Sequence, residues 1–116
     1  MSIRYSGIMD EKAAMKAVKL DGYALQFVRN QTKAICLVAV NQDGYALQYV
    51  HTQTEAICLM AVKQDGGALQ FVHTQTEAIC LVAVKQNNCA LQYVLDKELF
   101  HKLARQFKIE IKEDNG

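Results

Sequence analysis

Four thiols, three imidazoles and a thin scatter of carboxylates are the groups in this chain able to do covalent or metal chemistry. Cys36, Cys58 and Cys80 stand 22 residues apart, each inside an apolar A-I-C-L segment. Zinc needs four converging ligands, usually with close pairs such as C-x₂-C, and this spacing supplies none. A cysteine among apolar residues behaves as a small hydrophobe, so the three read as one core position copied three times, not as a disulfide framework. Cys89 is unique and falls at a helix start, where a thiol becomes more acidic. No histidine is placed beside it to act as a base, and it reads as inert.

His51 and His73 are also copies of one position, within H-T-Q-T-E-A, and Arg29 occupies that position in the first copy. A histidine pair can hold a metal or sense pH, but two ligands make a weak site, and a solvated rim is the expectation. His101 falls on a separate amphipathic segment and is expected to be exposed. No G-x-G-x-x-G, P-loop, G-x-S-x-G, H-E-x-x-H or C-x-x-C motif occurs. An active site gathers unlike residues at one asymmetric place, whereas these copies are nearly identical. The expectation is a non-enzyme without cofactor or metal.

The elements that carry these residues follow from the period. Thr32–Gln53, Thr54–Gln75 and the segment opening at Thr76 are copies at a constant offset of 22 residues, and Asp21, Asp43, Asp65 and Asn87 share one position. Fixed-period similarity names a repeat architecture. Asp10, Thr32, Thr54 and Thr76 are helix N-cap types, and each first helix should end near Lys19-Leu20, Asn41-Gln42, Lys63-Gln64 and Lys85-Gln86. The inner copies read A-I-C-L-(V/M)-A-V, apolar all round, as expected of a helix buried on several sides. In the first copy Lys12, Lys16 and Lys19 form one stripe. The inner counterparts Ala34, Val38 and Asn41, then Ala56, Met60 and Lys63, read as the face a stacked neighbour covers.

Asp-Gly at 21–22, 43–44 and 65–66 suggests a positive-φ helix stop, with Asn88 standing in for glycine, and the aspartate caps a second short helix with body A-L-Q-(F/Y)-V. Gln26, Gln48, Gln70 and Gln92 form a ladder expected to bond a neighbouring turn. A β-meander is the alternative, since Asp-Gly also marks hairpins; the helical lysine stripe argues against it. After Val94, Asp96 caps a last helix whose Leu99, Phe100, Leu103 and Phe107 share one apolar face. Ile109 and Ile111 alternate with polar residues as a short strand would, able to pair with Ile3 and Tyr5.

The fold expectation is thus all-α: a short helix-pair repeat solenoid with amphipathic capping helices at both ends and short terminal strands. Its parts are a lead-in at 1–9, repeats at 10–31, 32–53, 54–75 and 76–95, a cap at 96–108 and a tail at 109–116. The motif A-V-K-Q-(D/N)-(G/N)-x-A-L-Q-(F/Y)-V, at 61–72 and 83–94, resembles that of the domain-of-unknown-function family 4116, short helical repeats found in tandem. The resemblance covers about residues 10 to 95. It implies an α-helical repeat and, in some members, a place in secreted or host-directed proteins, with no catalytic residues to carry over.

Charge completes the reading. A net charge of +1 over 116 residues leaves no footprint for nucleic acid, and no apolar run is long enough to span a membrane, so a cytoplasmic or host-cytosolic location is expected. Repeat stacks present equivalent positions as a continuous surface. The expected function is a protein–protein interaction module, a host-directed effector or inhibitor among the forms it could take, with Tyr23, Tyr45, Gly67 and Cys89 sharing one rim, the tyrosines as its anchors, and Arg29, His51 and His73 on the other as contact residues. The alternative is a self-assembling structural protein, for which a homo-oligomer is the partner.

Overall fold

The computed structural model describes residues 10–111, and within them every repeat folds as an α-helix followed by a 3₁₀ helix. The α-helices are α1 (Glu11–Leu20), α2 (Lys33–Gln42), α3 (Glu55–Gln64), α4 (Glu77–Gln86) and α5 (Lys97–Gln106). The 3₁₀ helices are η1 (Gly22–Phe27), η2 (Gly44–Tyr49), η3 (Gly66–Phe71) and η4 (Asn88–Tyr93). Short helices leave many backbone groups unpaired, so the caps decide where each begins. Asp10 Oδ1 accepts from Ala13 N at 2.7 Å, and Thr32, Thr54 and Thr76 Oγ1 accept from Ile35, Ile57 and Ile79 N at 3.2 Å. Asp96 does the same for Leu99 N at 2.9 Å. The residue after each of α1–α4, Asp21, Asp43, Asp65 or Asn87, serves twice. Its backbone N–H closes the finishing helix, and its side chain accepts from the residue two on, as Asp43 does from Tyr45 N at 2.9 Å, capping the 3₁₀ turn.

Successive α-helices pack side by side, and each 3₁₀ helix wedges against its own α-helix and the next one. The outcome is an elongated stack, 62 × 28 × 20 Å. Its core repeats with the sequence: Ile35, Cys36, Ala39 and Val40 from α2 meet Leu25 and Leu47 from the 3₁₀ helices, and the same set recurs one unit on. At the far end α5 lays Leu103 and Ala104 on the stack, with Leu99, Phe100 and Phe107 half-buried around them. Helix α5 ends on Lys108, whose φ of 55° lets Ile109 N donate to Ala104 O at 2.8 Å. No helix among the described residues is long and apolar enough to cross a membrane.

Three expectations are corrected. The Asp-Gly glycine is not in the left-handed region, where Lys108 is the only non-glycine residue among those described. Glycine is there because the next repeat comes too close: a Cβ on Gly22 would lie 2.5 Å from Ala39 O, and Gly44 and Gly66 meet Ala61 O and Ala83 O in the same way. Asn88 is exposed, since no fifth repeat covers it. Second, no strand forms among the described residues; Ile109 and Ile111 pack half-buried against the core, and Ile3 and Tyr5 lie outside the described residues. Third, the lysine stripe of α1 is not where a neighbour sits. The inner positions made more buried by stacking are Ile35 and Ala39, the counterparts of Ala13 and Ala17, one residue further round the helix. In the first repeat Ala13 is exposed and Leu20 is 83% exposed.

Candidate functional site

The expected tyrosine row is spent largely inside the stack. Tyr23 packs edge-on against Tyr49, with ring centroids 5.6 Å apart and planes at 74°, and Tyr45 packs against Phe71 at 5.3 Å and 75°. Both rings are half-buried. Desolvation, then the carboxylates of Asp43 and Asp65 respectively, raises their phenol pKa values above the ordinary range. At Gly67 the row carries no side chain, and the Tyr45 hydroxyl fills that space. Cys89, next in the row, is exposed.

The second expected row has a different logic. His51 and His73 are exposed, and their backbone N–H groups each donate at 2.9 Å to a glutamine of the preceding unit, Gln31 and Gln53 respectively. Leu95 N donates likewise to Gln75 Oε1 at 3.0 Å. The other end of each glutamine donates to the end of the next 3₁₀ helix: Gln31, Gln53 and Gln75 Nε2 reach Tyr49, Phe71 and Tyr93 O at 2.7–2.8 Å. The clasp uses backbone at the position of His51, His73 and Leu95, so the side chain there can change from copy to copy. Arg29 is exposed in the same way. Among the described residues no group of three or more His, Cys, Asp and Glu is arranged to hold a metal.

The cysteine ladder completes the clasp. Cys36, Cys58 and Cys80 are buried, and each thiol donates to the same glutamine oxygen at 3.4–3.5 Å. Burial pushes all three thiols up, Cys80 to about 11. They read as core, as expected from the sequence, but with a specific partner. By contrast, the amide nitrogens of Gln26, Gln48, Gln70 and Gln92 donate within their own 3₁₀ helices, as Gln48 Nε2 does to Tyr45 O at 3.0 Å, and Gln70 also bonds the Tyr45 hydroxyl one unit back. The glutamine that clasps the next 3₁₀ helix is the one in N-Q-T and T-Q-T; at the helix ends Gln64 donates to Asn41 Oδ1 at 2.9 Å and Gln86 accepts from Gly66 N at 2.6 Å, also between repeats.

What the sequence reading missed is the outer face of α2–α4. Ala34, Ala56 and Ala78 are exposed, and the pairs Leu37/Val38, Leu59/Met60 and Leu81/Val82 are half-exposed beside them. These residues lie at i, i+3 and i+4, so they share one side of each helix, and stacking aligns them from one helix to the next. A helix that is apolar all round belongs inside a protein, yet these three keep one side open. The flanking helices do not: α1 puts Lys12, Lys16 and Lys19 on that side, and α5 exposes His101, Lys102, Arg105 and Gln106. The disappearance of the lysine stripe between repeats 1 and 2 was the signal, and it marks a solvent-facing surface.

The edges of this face differ in charge. At the helix C-terminal edge Lys19, Lys63 and Lys85 are exposed, with no ion pair among the described residues. At the other edge Glu55 Oε2 accepts from Thr76 Oγ1 at 2.9 Å and Glu77 is bridged by Lys102 at 2.7 Å. A shallow hollow lined by Glu11, Lys12, Met15, Lys16 and Lys19 opens at the α1 end.

A family model described as "Domain of unknown function (DUF4116)" matches residues 10–54 and again 54–100, each match spanning two of the 22-residue units. No curated protein and no solved structure matches the chain.

Proposed function

The chain belongs to that family of tandem helical repeats, and from this premise we propose that it is a non-enzymatic protein-binding module whose contact surface is the open face of α2–α4. One observation carries the reading. Three consecutive helices present Leu37/Val38, Leu59/Met60 and Leu81/Val82 to solvent, while the helices at both ends of the row carry charged residues there. Scattered exposed apolar residues need no explanation, but an aligned patch on an otherwise polar surface marks an interaction site. Each half-exposed Leu, Val or Met that a partner covers contributes a fraction of the roughly 1.5–3 kcal/mol for full burial. An interaction role also suits the rest of the chain, whose thiols and imidazoles are committed to packing or lie scattered on the rim. A host-directed effector or inhibitor is one form such a module takes.

The test compares the wild type with Met60→Lys/Val82→Lys, which places on the face the residue type that Lys16 supplies at the equivalent position of the first repeat. Proteins retained from lysate by the immobilised wild type should be lost from the double variant, while far-UV circular dichroism and the melting temperature stay the same. Equal retention by both forms would remove this face as the contact surface.

A further inference from the structure

We infer that the occupant of this face is an acidic amphipathic α-helix of another protein, lying along the stack across α2, α3 and α4; the inference rests on the binding role proposed above. Size argues first. Three helices about 15 Å long, packed about 8–10 Å apart, give an open face of about 400 Å². A stable pairing of two globular surfaces takes about 800 Å² from each partner, so a second copy of the chain is too large a commitment for this patch. Nor can the patch be widened across α1, because Lys12, Lys16 and Lys19 of one copy would meet like charges on the other when equivalent repeats face each other. A single helix of about 20 residues covers about 30 Å and fits the width of three stacked helices.

Period argues next. Equivalent apolar pairs recur once per stacked helix, every 8–10 Å or so. Apolar residues one heptad apart on a docking helix recur every 10.5 Å or so. Successive heptads can therefore address Leu37/Val38, Leu59/Met60 and Leu81/Val82 in turn, the helix-in-groove mode of recognition. Charge then fixes composition. The acidic edge is already engaged, Glu77 by Lys102 and Glu55 by Thr76, whereas Lys63 and Lys85 have no ion pair among the described residues. The docking helix is thus acidic along the flank above those lysines.

The experiment uses three fluorescein-labelled synthetic 21-residue peptides and the full chain, read by anisotropy. The first carries leucine at two positions of each of three heptads with glutamate on the flanks. The second has the same composition with the leucines spread round the helix, and the third replaces glutamate by lysine. The acidic heptad peptide should bind at least tenfold more tightly than either control. It should lose at least tenfold in Val38→Thr/Met60→Gln/Val82→Thr, with the melting curve as the control for folding. Should that triple variant unfold, Lys63→Glu/Lys85→Glu, both at exposed positions, decides in its place: the preference should reverse toward the lysine peptide, and an unchanged preference overturns the inference. Equal binding of all three peptides overturns it as well. So does a wild-type dimer in sedimentation that the triple variant abolishes while no peptide binds; that result would make a second copy the occupant and leave the binding face itself standing.

Discussion

The seam between repeats 2 and 3 and the seam between repeat 4 and α5 join helices of similar length, but they are built differently. At the inner seam the α3 backbone lies against Gly44, with Ala61 O in the space of the missing side chain. Gln53 then ties the Phe71 carbonyl and the His73 N–H across the joint. At the terminal seam there is no glycine and no glutamine clasp. Asn88 is exposed, and α5 is held by Leu103, Ala104 and their neighbours and by the exposed Lys102–Glu77 pair, a kind of pair worth about 0–1 kcal/mol. Repetition in this fold is therefore a backbone contract between like units, and the chain stops repeating where that contract ends.

The largest effect should come from filling the inner contact. In Gly44→Ala the new methyl meets the Ala61 carbonyl, which is fixed in its own helix and cannot move as a flexible side chain would. Overpacking of this kind costs about 3 kcal/mol, and urea unfolding should show it. Asn88→Ala, at the equivalent terminal position, should stay within about 0.5 kcal/mol. Equal losses at the two positions would mean that glycine serves the local turn and not the seam.

The clasp comes second. Gln53→Ala leaves the Phe71 carbonyl, the His73 N–H and the Cys58 thiol without their partner. Leaving part-buried groups unsatisfied costs about 2–3 kcal/mol in total. Gln48→Ala removes one exposed bond inside η2 and should change stability by less than about 0.5 kcal/mol. Hydrogen exchange sharpens the contrast, because Gln53→Ala should speed exchange at His73 N–H and not at amides within α1.

These two glutamine rows show what was legible in the sequence and what was not. The period, the caps at Asp10, Thr32, Thr54, Thr76 and Asp96, and the helix ends at Leu20, Gln42, Gln64 and Gln86 could all be read, because each is a local property of residue type and spacing. Which glutamine clasps the next 3₁₀ helix could not. Gln48 and Gln53 are equally repeated, and only the direction in which the chain leaves η2 puts one at the joint. The same holds for the glycines: one residue type serves both a left-handed turn and a close approach, and the distance to Ala61 appears only once the repeats are stacked. The open face was hidden by a shift of one residue. Lys12, Lys16 and Lys19 lie next to Ala13 and Ala17 on the helix, and the pattern alone does not say which stripe meets the neighbour.

The smallest effect comes from the third group in the clasp and depends on pH. The Cys80 thiol is fully buried, donates to Gln75 Oε1 at 3.4 Å and is raised to about 11 from an ordinary value of 9.0. In the unfolded chain the same thiol ionises near pH 9 while the folded one stays protonated. The unfolded state thus releases its proton first, and folding loses stability as pH climbs above 9, with nothing lost below it. In Cys80→Ser a hydroxyl can still donate to Gln75 but does not ionise in this range. The stability difference between wild type and Cys80→Ser should be flat up to pH 8 and should shift against the wild type by about 1 kcal/mol at pH 10. Tyr23 and Tyr45, also raised, are common to both proteins and cancel. A thiol-reactive disulfide reagent at pH 8 gives the companion reading: it should modify Cys89 quickly and the three clasp cysteines only on unfolding, since Cys89 alone among the four is exposed. Rapid modification of Cys58 in the native protein would mean that the inner seam opens freely, and the distinction between inner and terminal joints would lose its physical basis.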